Sequence, residues 1–358
     1  MKSEIEKIES FLQDEIVPLA NKIDRQPEVL KLALQKMGDR SWLALKAAPE
    51  LGGTGLSQPN YHRLQITMAR ASGALTFLQT QHQSAVAKLA QSQNQSLQPE
   101  FFPDVVNGKT LVGVGFSHLR RRGVPMMQAR EATGGYILTG KVPWITGYDF
   151  FDQFIIGATL PDGRELYGIL PLQNQASKLG GEIKLSKPMN LIAMGASNTV
   201  SATIKQWFLP SDRVVTINPA GAIHHSSRRN ILNHGFFALG CAYAGLDIIK
   251  AIAEKKQLQF LQESWQSLYQ EVVQQENKAI AFLLNNQTYP QRLQLRAAMI
   301  DLAQRCSLAA VIASGGAANY FNSSAGRIYR EALLFSVSGQ TTDVMKASLN
   351  NLLRSALS

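Results

Sequence analysis

Apolar positions along the first hundred residues recur at helical spacing. Ile5, Ile8, Phe11, Leu12 and Ile16 form one stripe, and Leu78, His82, Val86 and Leu89 form another within a helix expected from about Leu75 to Ala90. Pro27, Gly52-Gly53 and Pro59 punctuate these segments. From Thr110 the period changes. Thr110–Phe116, Gly135–Lys141, Phe154–Ala158, Leu166–Leu170 and Thr199–Ile204, with Trp207-Phe208 after it, are short β-rich runs broken by Gly, Pro and Asp. Helical spacing then returns in Ile231–Ala253, Leu258–Leu284, Arg292–Ala313, Ser323–Phe335 and Thr341–Leu357. The pattern predicts an α+β, mostly helical chain: an N-terminal helical domain over 1–107, a central β-barrel or sandwich over 108–215, and a C-terminal helical bundle over 216–358. Clefts between such layers are where ligands bind.

Composition narrows the class. The 358 residues are 45% hydrophobic and 17% charged, which suits a folded chain with sizeable cores. Cys241 and Cys306 lie in helical apolar patterns without metal-ligand spacing, so no metal site is expected and a reducing cytoplasm is the natural compartment. His224-His225 lacks a carboxylate at ligand spacing, and His234 reads as structural. The charged start, Met1 to Asp14, does not read as a signal peptide, and no run approaches the ~18 apolar residues of a membrane span. The net charge of +10 is spread out, with one dense run at Arg120-Arg121-Arg122. No helix-turn-helix, RNP or zinc-finger pattern accompanies that run, so no nucleic-acid partner is expected. An anionic ligand, or plain solvation, accounts for it equally.

Six motifs in order resemble those of the acyl-CoA dehydrogenase family. They are Leu51-Gly-Gly-Thr-Gly-Leu-Ser57, Gly135 to Thr146 with its Trp144-Ile-Thr146, Met194-Gly-Ala-Ser197 followed by Trp207-Phe-Leu-Pro210, Ala238-Leu-Gly240, Ser314-Gly315-Gly316 with Tyr320, and Arg327-Ile-Tyr-Arg330-Glu331. The resemblance implies a flavoprotein that oxidises an acyl thioester with FAD, or with FMN as the other flavin, and works as a homodimer or homotetramer. Its partners would be acyl-CoA or a small hydrophobic substrate, and an electron-transfer partner or a flavin reductase. By the same resemblance Trp144 lies beside the flavin ring and Thr146 near its reactive nitrogen. Phe116-Ser117 holds the pyrimidine edge, Gly315 and Gly316 approach the pyrophosphate, and Gln340 is a further cofactor contact.

Departures from the family pattern concern chemistry. The glutamate that takes the substrate α-proton is replaced by Ser338, within Val337-Ser338-Gly339. The alternative base position holds Asn230, preceded by Arg228-Arg229. The acidic turn of the family reads His118-Leu-Arg-Arg-Arg-Gly123, the residue ahead of the paired glycines is Ile312, and Lys255-Lys256 runs almost directly into the next helix. A serine hydroxyl is a poor base unless a neighbour activates it. These changes lean toward the flavin-dependent monooxygenases on this fold, such as dibenzothiophene monooxygenase, where His82 is the expected hydrogen-bonding group near the flavin. A non-catalytic flavin or acyl-ligand binder is the remaining alternative.

Overall fold

The computed structural model describes residues 3–177 and 180–355. The N-terminal helices are α1 (Glu4–Phe11), α2 (Ala20–Ile23), α3 (Pro27–Gly38), α4 (Gln58–Ala71), α5 (Gly73–Ala90) and α6 (Leu97–Val105). The first stripe is not one helix. After Phe11 the chain passes through a π turn and a 3-10 turn before α2 begins. Pro18 lies in that stretch and lacks the N–H a continuous helix needs. Ile8, Phe11, Leu12 and Ile16 are buried all the same.

Among the described residues nine strands follow: β1 (Val112–Gly115), β2 (Met127–Ala132), β3 (Gly135–Ile145), β4 (Gln153–Thr159), β5 (Glu165–Pro171), β6 (Gln175–Ala176), β7 (Glu182–Leu185), β8 (Val200–Pro210) and β9 (Val214–Asn218). They form one connected mixed sheet in the order β6-β7-β8-β3-β2-β4-β5-β9, with β1 parallel to β4. Among the described residues the two halves share one backbone pair, Gln128 with Thr159. The boundary expected at 215 falls inside β9. That strand is set by pairing with β5, a long-range partner that no local pattern announces.

The C-terminal bundle contains α7 (Ala222–Arg229), α8 (Asn233–Lys256), α9 (Gln259–Leu284), α10 (Tyr289–Ser314), α11 (Ser324–Val337) and α12 (Thr342–Ser355). The expected helix end at Leu357 lies outside the described residues. α8 runs through the middle of the bundle, buried over most of its length. At Gly240 it crosses α4 so closely that a Cβ would sit 2.4 Å from the Ile66 carbonyl oxygen. Contrary to the expectation of no long apolar run, an 18-residue window within Ala222–Lys256 has mean hydropathy 1.6, but 72% of it is buried inside the protein. By length and composition it is apolar enough to cross a membrane, and its burial is that of a bundle-core helix.

The three layers are stapled together where the Arg327–Glu331 motif sits. Arg327 and Glu331, one turn apart on α11, form a buried ion pair at 2.7 Å. Glu331 also accepts from the Gly73 backbone N–H at 3.3 Å, and Arg327 Nε donates to Asn21 at 2.9 Å. Arg330 pairs with Asp24 at 2.9 Å, whose other oxygen accepts the Met194 N–H at 2.9 Å. One motif therefore joins the N-terminal helices, the sheet region and the bundle.

Candidate functional site

The site is built where the turn after β1, the start of α8, the middle of α10 and the connection from α11 to α12 converge. Gly339 has φ +63°, and a Cβ on it would lie 2.4 Å from the His234 imidazole. The connection is thus pressed flat against that ring, which only glycine allows. Ser338, the C-cap of α11, places its hydroxyl 2.8 Å from His234 Nδ1. From α10, Arg296 donates through Nη2 to the Ser338 carbonyl oxygen at 2.9 Å, fixing the peptide that carries the hydroxyl. Arg120, at the end of a 3-10 turn over Ser117–Arg120, reaches across to α7 and donates to Ser227 Oγ at 3.0 Å.

The electrostatics are one-sided. Burial, then the Arg296 and Arg120 charges, push the His234 imidazole down to about 3, so it is neutral at physiological pH. Burial alone pushes Arg296 down to about 9. Among the described residues no carboxylate is hydrogen-bonded to or paired with Arg296, Arg120, His234 or Ser338. Glu165, on β5, accepts the Ile223 N–H at the start of α7 and the Tyr167 hydroxyl instead.

The expected residues divide sharply. His82 is corrected. It is fully buried, its Nε2 donates to the Val105 carbonyl at 2.8 Å, and its Nδ1 accepts from Val112 N–H at 3.0 Å. Burial pushes it down to about 4. It is a satisfied core histidine tying α5 to α6 and β1, with no group left to face a flavin. His234, read as structural, is the histidine of the site instead, and Arg296 was not singled out at all. Neither carries a local signal, because their partner Ser338 lies 104 positions from His234 and 42 from Arg296.

Trp144, on β3, is 48% exposed between buried Val142 and Ile145. Thr146 is buried, and its hydroxyl lies 3.0 Å from that of Thr199. Phe116 packs edge-on against Tyr167, Ser117 opens the turn that carries Arg120, and Gln340 is exposed beyond Gly339. Gly315 caps α10 with φ +61°, and nothing lies within 4 Å of where a Cβ would stand on it or on Gly316. An uncovered indole and an open, side-chain-free backbone fit the ring and the phosphate end of a flavin nucleotide. At the phosphate end the chain is shorter than the family pattern, since only Gln257 and Leu258 separate α8 from α9.

The architecture is the acyl-CoA dehydrogenase fold. Residues 4–109 match the acyl-CoA dehydrogenase N-terminal domain family. It is 23% identical to the mitochondrial isovaleryl-CoA dehydrogenase of Arabidopsis thaliana, over 95% of this chain and 88% of that protein. It is 24% identical to a 3-(aryl)acrylate reductase of Clostridium sporogenes, over 78% and 76%. With the isovaleryl-CoA dehydrogenase of Pongo abelii the match, at 23% identity, spans 58% of this chain and about half, 51%, of the relative. Among solved structures, a glutaryl-coenzyme A dehydrogenase in complex with glutaryl-CoA superposes with a TM-score of 0.82 at 18% identity, over 98% of this chain and 96% of that one. A glutaryl-CoA dehydrogenase of Mycobacterium smegmatis in complex with FADH2 gives 0.80 at 15%, over 98% and 95%.

Proposed function

We propose that this protein is a flavin-dependent oxidoreductase that takes FAD and acts on the carbon–carbon bond of an acyl thioester. The observation that carries the reading is Trp144, a large aromatic side chain left half in water on β3, in the motif whose resemblance implies a place beside the flavin ring. When bound there, FAD supplies the acceptor for hydride. Trp144 would cover the ring, the Thr146–Thr199 hydroxyl pair would lie behind it, and the Gly315–Gly316 backbone would approach the phosphates. Ser338 and His234 would hold the acyl group by hydrogen bonding. His234 is too weak a base, at about 3, to remove an α-proton at neutral pH. The electrons would be exchanged with an electron-transfer partner, and the buried free thiols of Cys241 and Cys306 suit a reducing compartment.

Trp144→Ala is the cleaner test of the cofactor. Its side chain is half exposed, so truncation disturbs little packing, whereas the Thr146 hydroxyl already has a partner whose loss would confuse the result. The wild-type protein is expected to turn yellow with FAD, and the variant to bind it at least about tenfold more weakly, a ring-stacking contribution of roughly 1 kcal/mol or more. A wild-type protein that stays colourless with added FAD would sink the proposal. Bleaching of the bound flavin by an acyl-CoA without oxygen would establish the thioester step.

We propose also that the chain works as a homodimer or a dimer of dimers. Leu308, Ile312, Tyr320, Phe321, Leu333 and Leu349 expose large apolar side chains on α10 to α12 and the turn between them. Such a surface calls for a partner, and closed symmetry is the usual outcome. Light scattering at micromolar concentration should give twice the 39.3 kDa chain mass or a multiple of that. A monomer would contradict it.

A further inference from the structure

We infer that the cluster formed by Arg296, His234, Ser338 and Arg120 binds a carboxylate, and that the acyl substrate therefore carries a free carboxylate group. The second half rests on the reading above; the first does not. The position that resembles the family's acid residue has become a site for an acid on the ligand.

Arg296 carries an unmatched charge. Arg296 is 1% exposed, yet only its Nη2 has a partner, the Ser338 carbonyl; Nη1 is buried with none. A buried guanidinium with no counter-ion is costly, and a structure that retains one is arranged for an anion to complete it. The carbonyl at the end of α11 offsets part of the charge, but a carbonyl dipole does not replace an anion. Nη1 lies beside Gly235 in the first turn of the 24-residue α8, where backbone N–H groups add to the positive potential. Arg120 brings a second guanidinium from the β region, and its two neighbours Arg121 and Arg122 lie exposed beyond it.

The Ser338–His234 hydrogen bond admits a rival reading, a hydroxyl activated by a base. The surrounding charges decide against it. Burial first, and then the two guanidinium groups, keep His234 neutral and a weak proton acceptor, and the same two groups attract an anion. The imidazole stays neutral, its Nδ1–H donating to Ser338 Oγ, whose own O–H turns to the carboxylate beside Arg296 Nη1. Binding moves no proton to or from solvent and forms no covalent bond. A planar carboxylate matches the flat fork of an arginine.

The probe is acetate, followed by thermal unfolding of the whole chain at pH 7 against sodium chloride of equal ionic strength. Acetate at tenfold its dissociation constant should raise the midpoint by roughly 2 °C. Titration calorimetry in two buffers of different ionisation enthalpy should give the same binding heat, because no proton is exchanged. Arg296→Met should abolish the stabilisation, and Arg122→Gln, an exposed neighbour, should leave it intact. If Arg296→Met does not fold, Ser338→Ala and His234→Gln serve in its place, each expected to weaken acetate at least about tenfold through loss of one charge-assisted hydrogen bond. Equal stabilisation by chloride or by inorganic phosphate, or an acetate effect that survives in these variants, would overturn the inference. The assay needs no flavin. A protein that binds acetate and stays colourless with FAD keeps the carboxylate site and loses the oxidoreductase reading; a yellow protein indifferent to acetate does the reverse.

Discussion

Replacing Arg327 with methionine is expected to destabilise the protein by about 3–5 kcal/mol, the cost of leaving a buried partner charge uncompensated. Glu331 has no exposed surface, and burial already raises its pKa against the pull of Arg327. One of its oxygens takes both donors, Arg327 Nη1 and the Gly73 N–H, while the other has none. With Arg327 gone, Glu331 must take up a proton or leave the core, and Asn21 loses its donor. The double variant Arg327→Met with Glu331→Leu should recover most of the loss, because two apolar side chains of similar volume replace an ion pair whose own desolvation is expensive. Urea unfolding measures both. A single variant within 1 kcal/mol of wild type would show that the pair is not what holds α11 to the N-terminal helices.

Acid should begin to destabilise the protein well above the pH at which its carboxylates protonate. His62, His82 and His118 are each at most 3% exposed, and burial pushes them down from the ordinary 6.5 to about 3, 4 and 4. The folded values lie below the unfolded one, so the unfolded chain binds these protons first. Their contribution to stability is complete above pH 6.5 and is lost as the pH falls from there toward 4. Each histidine costs about 1.4 kcal/mol per pH unit across that window, so the three together cost roughly 4 kcal/mol per unit. Two units approach the whole stability of a typical protein. His234 titrates in the same direction. His62→Leu offers the sharpest check. Both its ring nitrogens lack partners, and it lies stacked 4.3 Å from Phe236, so leucine removes one proton from the slope without breaking a hydrogen bond. A urea midpoint that is flat between pH 6.5 and 4.5 would defeat the argument.

Local periodicity settled much of the architecture before any coordinate. The Leu78, His82, Val86 and Leu89 stripe is buried on α5, and the runs at Gly135 and Phe154 became β3 and β4. Helix and strand periods depend on residues within a few positions of each other, and the chain writes these directly. Trp144 was singled out by the resemblance of its strand motif, and its side chain is half exposed on β3. What the chain alone could not rank was its histidines. His82 sits on a stripe that looks like a flavin neighbour, yet the approach of α6 and β1 turns both its nitrogens to backbone. His234 sits on an apolar helix that looks like plain core, yet the connection after α11 brings Ser338 to its Nδ1. Arg296 gave no signal, because an arginine in a helical pattern is solvated or buried according to which helix covers it. Hydrogen-bond partners and desolvation are properties of contacts between distant segments. The sequence determined the helix–sheet–helix order and the missing carboxylate; only the tertiary structure decided that two guanidinium groups and a neutral imidazole gather where that carboxylate would have been.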